Sequence, residues 1–127
     1  MRMNFDVGTP IWRQLFDEFS RLIAAGQWPP GSQIPSVREL AAAHGVNPNT
    51  VQKALVELER VGVAETRRGL GRYVTDNAAA IRSLGRRLAC EAARIFVADM
   101  KTLAIDLPEA EALVKTQWKG DKDANAS

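Results

Sequence analysis

Two short polar stretches hold most of the side chains whose type and spacing suit recognition chemistry. Arg67, Arg68 and Arg72 fall within six residues around Gly69 and Gly71, and no acid separates them. Guanidinium groups on a narrow glycine turn suit a phosphate ridge or a minor groove. Twenty residues earlier, Asn47, Asn49, Thr50, Gln52 and Lys53 crowd one short segment opposite the apolar Val51 and Leu55. Amides and hydroxyls there suit base edges, since Asn and Gln pair bidentately with adenine in the major groove. A helix start adds N–H groups and a positive dipole end that favour phosphate. Arg38, upstream, is placed to touch a phosphate. Each feature has a plainer counterpart: a well-capped helix start, a solvated turn, a local ion pair.

Other chemistries find no footing. His44 and Cys90 are the only residues of their types and lie too far apart in sequence to form a zinc-ligand cluster. No phosphate-cradling glycine motif is present, Gly69-Leu70-Gly71 being only a fragment of one. Ser36 has no evident base partner, so no catalytic residue, metal site or cofactor is expected. His44 reads as the residue closing a helix, Cys90 as a small buried residue, and Trp12 and Trp28 as core packing. The 127 residues are 46% hydrophobic and 25% charged, the composition of a globular chain of one domain or a domain plus an appendage. A net charge of +2 is too small to imply nucleic acid or membrane binding by itself. The polar start and the lack of any run near ~20 apolar residues predict a cytoplasmic protein without membrane contact.

The elements that must position these residues follow from periodicity and punctuation. Over 9–25, Ile11, Trp12, Leu15, Phe16, Phe19, Leu22 and Ile23 trace one stripe of an amphipathic helix. Thr9 is its expected N-cap and Gly26 its stop. Trp28-Pro29-Pro30-Gly31 forces a turn, and Gln33-Ile34 leaves room for a very short strand. Ser36-Val37-Arg38-Glu39 is a capping box opening a second helix that Gly45 ends. Asn47 caps a third with Pro48 in its first turn, and Val51, Ala54, Leu55, Leu58 and Val61 face inward. Two strand-like runs around residues 68–71 predict a hairpin. Three helices and a hairpin make a winged helix-turn-helix. Beyond it, Ile81, Leu84, Leu88, Ala92, Ile95, Phe96, Met100 and Leu103 recur at helical spacing over 77–105. A last helix is expected from Pro108 to about Trp118, with Ala112, Leu113 and Trp118 on its apolar side.

These motifs resemble the GntR family of bacterial transcriptional regulators. The matching strings are Pro10-Ile11-Trp12-Arg13-Gln14-Leu15, Gly26-Gln27-Trp28-Pro29-Pro30-Gly31 and Ile34-Pro35-Ser36-Val37-Arg38-Glu39-Leu40-Ala41. Val46-Asn47-Pro48-Asn49-Thr50-Val51, Leu58-Glu59-Arg60-Val61-Gly62 and Arg68-Gly69-Leu70-Gly71-Arg72-Tyr73-Val74 complete the set. They run in order with the family's spacing, although Trp12 and Leu55 stand where the family often has Tyr. The 51 residues after position 76 are too few for the large effector domains of many members, and the chain is similar to the YtrA subgroup with its short dimerising tail. By this resemblance, DNA contacts fall on Ser36 and Arg38, on Asn49, Thr50 and Gln52, and on Arg68 and Gly69. Pro48 and Gln52 stand where some relatives carry arginine, so no operator can be copied across.

The sequence therefore predicts a mainly α chain with a small β-hairpin. A winged helix-turn-helix DNA-binding domain occupies 1–76, a helical dimerisation segment 77–118 and a flexible tail 119–127. The expected function is a repressor-type regulator that binds a pseudo-palindromic operator as a homodimer, with transporter genes as targets by the subgroup resemblance. The alternative is a protein-interaction module with an incidentally basic hairpin. At 1.5 Å per residue the long helix spans about 43 Å, against a radius of gyration near 11 Å for the preceding domain. Ile81, Leu84, Leu88, Ile95, Phe96 and Leu103 are accordingly the expected dimer interface. No pocket of several hundred Å3 is expected within one subunit, and no effector is identified.

Overall fold

The computed structural model describes residue 5 and residues 7–126, the side chains of 122–126 excepted. Its elements are α1 (Ile11–Ala24), α2 (Val37–His44), α3 (Pro48–Arg60), β1 (Ala64–Arg67), β2 (Gly71–Val74), α4 (Ala78–Thr102) and α5 (Leu107–Ala126). Their contacts divide the chain into two compact units, 1–88 and 89–127.

The first unit is built on the apolar stripes of its helices. Leu15, Phe19 and Ile23 of α1 meet Val51, Ala54, Leu55 and Leu58 of α3, all at most 1% exposed, and Val63 and Val74 close the core from the hairpin side. Trp28 stacks on Phe19 at 5.2 Å, as expected of a packing residue. Trp12 does not join that core: it is half-buried, with the Lys53 ammonium 4.7 Å from its ring centroid. The helix that carries it starts at Ile11, with Pro10 as N-cap and no side-chain cap. Thr9 therefore does not cap α1, and its carbonyl instead accepts from Gln14 Nε2 at 2.8 Å. His44 ends α2 and is buried edge-on against Phe19, so burial lowers its pKa below the usual value.

Local contacts cap α2 at both ends and open α3 after it. Glu39 N–H donates to Ser36 Oγ at 3.1 Å, Ser36 N–H to Glu39 Oε1 at 3.4 Å, and Gly45 sits at φ 67 where a side chain would be strained. Asn49 N–H donates to Asn47 Oδ1 at 2.8 Å, with Pro48 at the first position of α3. The hairpin pairs Ala64 with Val74 through Arg67 with Gly71. Gln33 bridges to Tyr73, and Ile34 N–H donates to the Arg72 carbonyl at 2.8 Å, so the short strand expected there braces the hairpin's outer edge. Gly71 takes φ 104, which side chains rarely adopt, and this is why the position takes glycine; the Gln33 amide 2.8 Å from where a Cβ would stand is the end of a flexible side chain.

The expected boundary at residue 76 is displaced. Leu84 is 3% exposed inside the winged-helix core, with Ala80, Ile81 and Leu88 packed against that core, so the first three turns of α4 belong to the first unit. Leu84 therefore has no surface to offer a partner, and Ile81 and Leu88 offer little. A long apolar helix start beside an open flank of a small core gains more by covering it than by facing water. α4 ends at Thr102, three residues earlier than expected, where Ala104 takes φ 59.

In the second unit, α5 does not stop near Trp118 but runs to Ala126, so residues 119–126 are helical rather than a tail; residue 127 lies outside the described residues. Gly120 is not among the positive-φ glycines, and an isolated right-handed glycine costs a helix about 1 kcal/mol without ending it. Among the described side chains of α5, Ala110 is the buried one, while Ala112, Leu113 and Trp118 are exposed. Between α4 and α5 lies an open, mostly apolar groove of about 460 Å3 lined by Phe96, Met100, Ile105, Ala110 and Val114 among others. The two helices leave this trough open to solvent and do not enclose it. Cys90 is exposed, not buried, because its side of α4 faces away from any core. Among the described residues no helix is long and apolar enough to cross a membrane.

Candidate nucleic-acid interface

Helix α3 turns its apolar stripe inward, and this fixes what it shows outside. Asn47, Asn49, Gln52 and Lys53 are exposed and Thr50 half-buried. Asn49 and Gln52 are three residues apart and thus neighbours on one face. Asn47 spends its carbonyl oxygen on the cap, leaving its amide nitrogen free to donate. Ser36 likewise accepts one bond in the capping box and keeps its hydroxyl proton. Arg38 is exposed on α2 and makes no ion pair among the described residues. Lys53 lies on the α1 side of the helix, over Trp12, rather than beside Gln52.

The hairpin arginines, alike in sequence, have three different environments. Arg68 is exposed beside the equally exposed Gly69 and has no ion-pair partner among the described residues. Arg67 lies over the Tyr73 ring at 4.2 Å and pairs with Glu65 at 3.0 Å and Asp76 at 3.7 Å. Those carboxylates are exposed, so the pairs are weak and a phosphate could replace them.

Arg72 is not a tip residue. Its side chain, 18% exposed, is ion-paired with Glu59 of α3, and its Nη1 donates to Gln52 Oε1 at 3.2 Å. Glu59 also accepts from Thr66 Oγ1 at 2.8 Å, so one carboxylate holds a cross-strand pair of the wing. Burial pushes the Glu59 carboxyl up, but the hydrogen bonds from Arg72 and Thr66 and the Arg72 charge outweigh it and hold it below the usual carboxylate range. The expectation of three equivalent arginines is therefore corrected: Glu59 holds Arg72, the exposed Glu65 and Asp76 pair loosely with Arg67, and Arg68 has no carboxylate partner among the described residues.

Glu59, Thr66 and Tyr73 are the residues that sequence reasoning missed. One available signal was the seven-residue spacing of Gln52 and Glu59, which places both on one helix face. The remaining exposed groups are of one kind, donors on Ser36, Arg38, Asn47, Asn49, Gln52 and Arg68, together with the α3 N-terminus. Such donors suit an anionic partner whose edges accept hydrogen bonds.

Residues 12–74 match the family model described as "Bacterial regulatory proteins, gntR family". The chain is 36% identical over 120 residues to the uncharacterized HTH-type transcriptional regulator YhcF of Bacillus subtilis, an alignment covering 94% of this chain and 99% of that one. It is 50% identical over 70 residues to the HTH-type transcriptional repressor YtrA of the same organism, spanning 55% of this chain and 54% of the repressor. Among solved structures, a GntR family transcriptional regulator from Listeria monocytogenes superposes with a TM-score of 0.81 at 35% identity, over 88% of this chain and 98% of that one. The matched span ends at the last residue of β2, so it takes in the three helices and the wing whose exposed donors form the interface. With likeness also extending over nearly the whole of full-length relatives, the chain belongs to the GntR family of bacterial transcriptional regulators and binds DNA through its winged helix.

Proposed function

We propose that the chain is a repressor-type regulator that binds a pseudo-palindromic operator as a homodimer. α3 enters the major groove, Arg68 and Gly69 of the wing meet the minor groove or the backbone, and the second unit pairs two copies. The observation that carries the reading is the exposed donors of α3 and α2 together with Arg68 of the hairpin, which has no ion-pair partner among the described residues. The name of the YtrA repressor supports the sign of regulation. Exposed Ile95 on α4, Leu103 in the turn after it, and Leu107 and Trp118 on α5 support the pairing, because apolar surface of that extent marks an interface. A two-fold dimer needs half-sites about one helical turn apart. By the subgroup resemblance, transporter genes are the first targets to test, at operator DNA in the cytoplasm. No effector is assigned.

The experiment is selection of duplexes from a random pool, followed by titration of the winner across salt. Affinity falls steeply with salt through counterion release if the partner is DNA. A shallow slope with no selected sequence would instead favour a protein-interaction module. Gln52→Ala is expected to cost about 1–3 kcal/mol on the selected operator and to relax one base position per half-site. Unchanged affinity and preference would remove Gln52 from the reading face. Arg68→Ala is expected to weaken specific and random DNA alike and to reduce the salt slope by about 1. A changed sequence preference with random binding spared would make Arg68 a reader of bases.

A further inference from the structure

Where the wing meets α3, the side chain of one residue decides what another can present. Gln52 and Glu59 project from the same face of α3, two turns apart. Arg72 lies across both, ion-paired with Glu59 and donating from Nη1 to Gln52 Oε1 at 3.2 Å. A guanidinium has donors only, so the Gln52 atom facing it has to be the carbonyl oxygen, however the two ends of an amide are assigned. Arg72 is itself largely covered and charge-paired, while Gln52 is exposed. A free glutamine pairs with adenine by using oxygen and nitrogen together. With one lone pair of that oxygen taken by Arg72 and the amide plane thereby held, the end left wholly free for a base edge is the NH2, a pure donor. Of the four bases, guanine alone offers two adjacent acceptors, N7 and O6, in the major groove.

We infer that Arg72 is a positioning residue for base readout: anchored by Glu59, it fixes the Gln52 amide as a donor and turns the preference at that base position from adenine toward guanine. This rests on the DNA-reading function proposed above.

The test is selection from randomised duplexes by the full chain and by Arg72→Met, Gln52→Ala and the double variant, each checked for folding by circular dichroism. The wild type is expected to prefer guanine at one position per half-site, a preference that Gln52→Ala abolishes. Arg72→Met is expected to shift that position from guanine to adenine by on the order of tenfold, leaving other positions as they were. In the Gln52→Ala background the same change is expected to do nothing further there. Arg72→Lys, which keeps a charge for Glu59 without the fork, is expected to lose the guanine preference while retaining the fold. A uniform loss of affinity with an unchanged preference profile would overturn the inference. So would a shift that persists without Gln52. A wild type that selects no sequence overturns the reading function as well, whereas a selective wild type indifferent to Arg72 overturns the positioning alone.

Discussion

Replacing Ile95 with lysine is expected to turn the proposed homodimer into a monomer at micromolar concentration while leaving the helix and the winged domain folded. Ile95 is 50% exposed in the single chain, so a charge there costs the monomer little. In the paired state the same ammonium would be buried without a partner, at several kcal/mol for each of two copies. Operator binding follows, because the second half-site is held at an effective concentration that disappears with the dimer, a loss of about 10²- to 10⁴-fold. Sedimentation velocity and operator titration on one preparation measure both effects. Leu84→Lys would not serve, since Leu84 lies in the winged-helix core and the substitution would unfold the domain being tested. A wild type that sediments as a compact monomer and still binds its operator tightly ends the dimer model.

Phe19→Ala is expected to destabilise the first unit by about 3–5 kcal/mol, a large share of the 5–15 kcal/mol that holds a domain folded. Phe19 is fully buried where α1 meets the rest of the core, stacked on Trp28 and edge-on to His44. Removing the ring leaves a cavity between side chains on three segments, and the Pro29-Pro30 turn behind Trp28 limits how far the site can collapse. The loss is read as a lower urea midpoint with an unchanged slope, and DNA binding should fall only in step with the folded fraction. A loss under about 1 kcal/mol would mean that Trp28 and His44 close over the gap, contrary to close packing.

Much of this protein is local in origin and therefore legible in its sequence. The capping box at Ser36 and Glu39, Asn47 before Pro48 and Gly45 at the turn act within a few residues, and each formed as its spacing predicts. The inward stripe of α3 fixed its outward face, so Asn49 and Gln52 followed from periodicity alone. The hairpin at 64–74 followed from its glycines and strand-like flanks. The terminations in the second unit were less legible. An alanine at φ 59 ends α4 where glycine is the usual signal, and Gly120, which reads as a stop, is carried through α5. Both outcomes depend on small backbone preferences that neighbouring packing overrides.

Only the tertiary structure decided which charges remain free and which apolar residues remain uncovered. Arg67, Arg68 and Arg72 are equivalent as a string. They differ because β2 places Arg72 against Glu59, a residue thirteen positions away on another element, and because Glu65 and Asp76 flank Arg67. The α4 stripe is likewise continuous in sequence, yet Leu84 is buried and Ile95 is half exposed, because the winged core reaches only as far as Leu88. Helical periodicity gives the angle at which a side chain leaves its own helix. It contains no information about what stands opposite, and burial and pairing depend on that opposing surface.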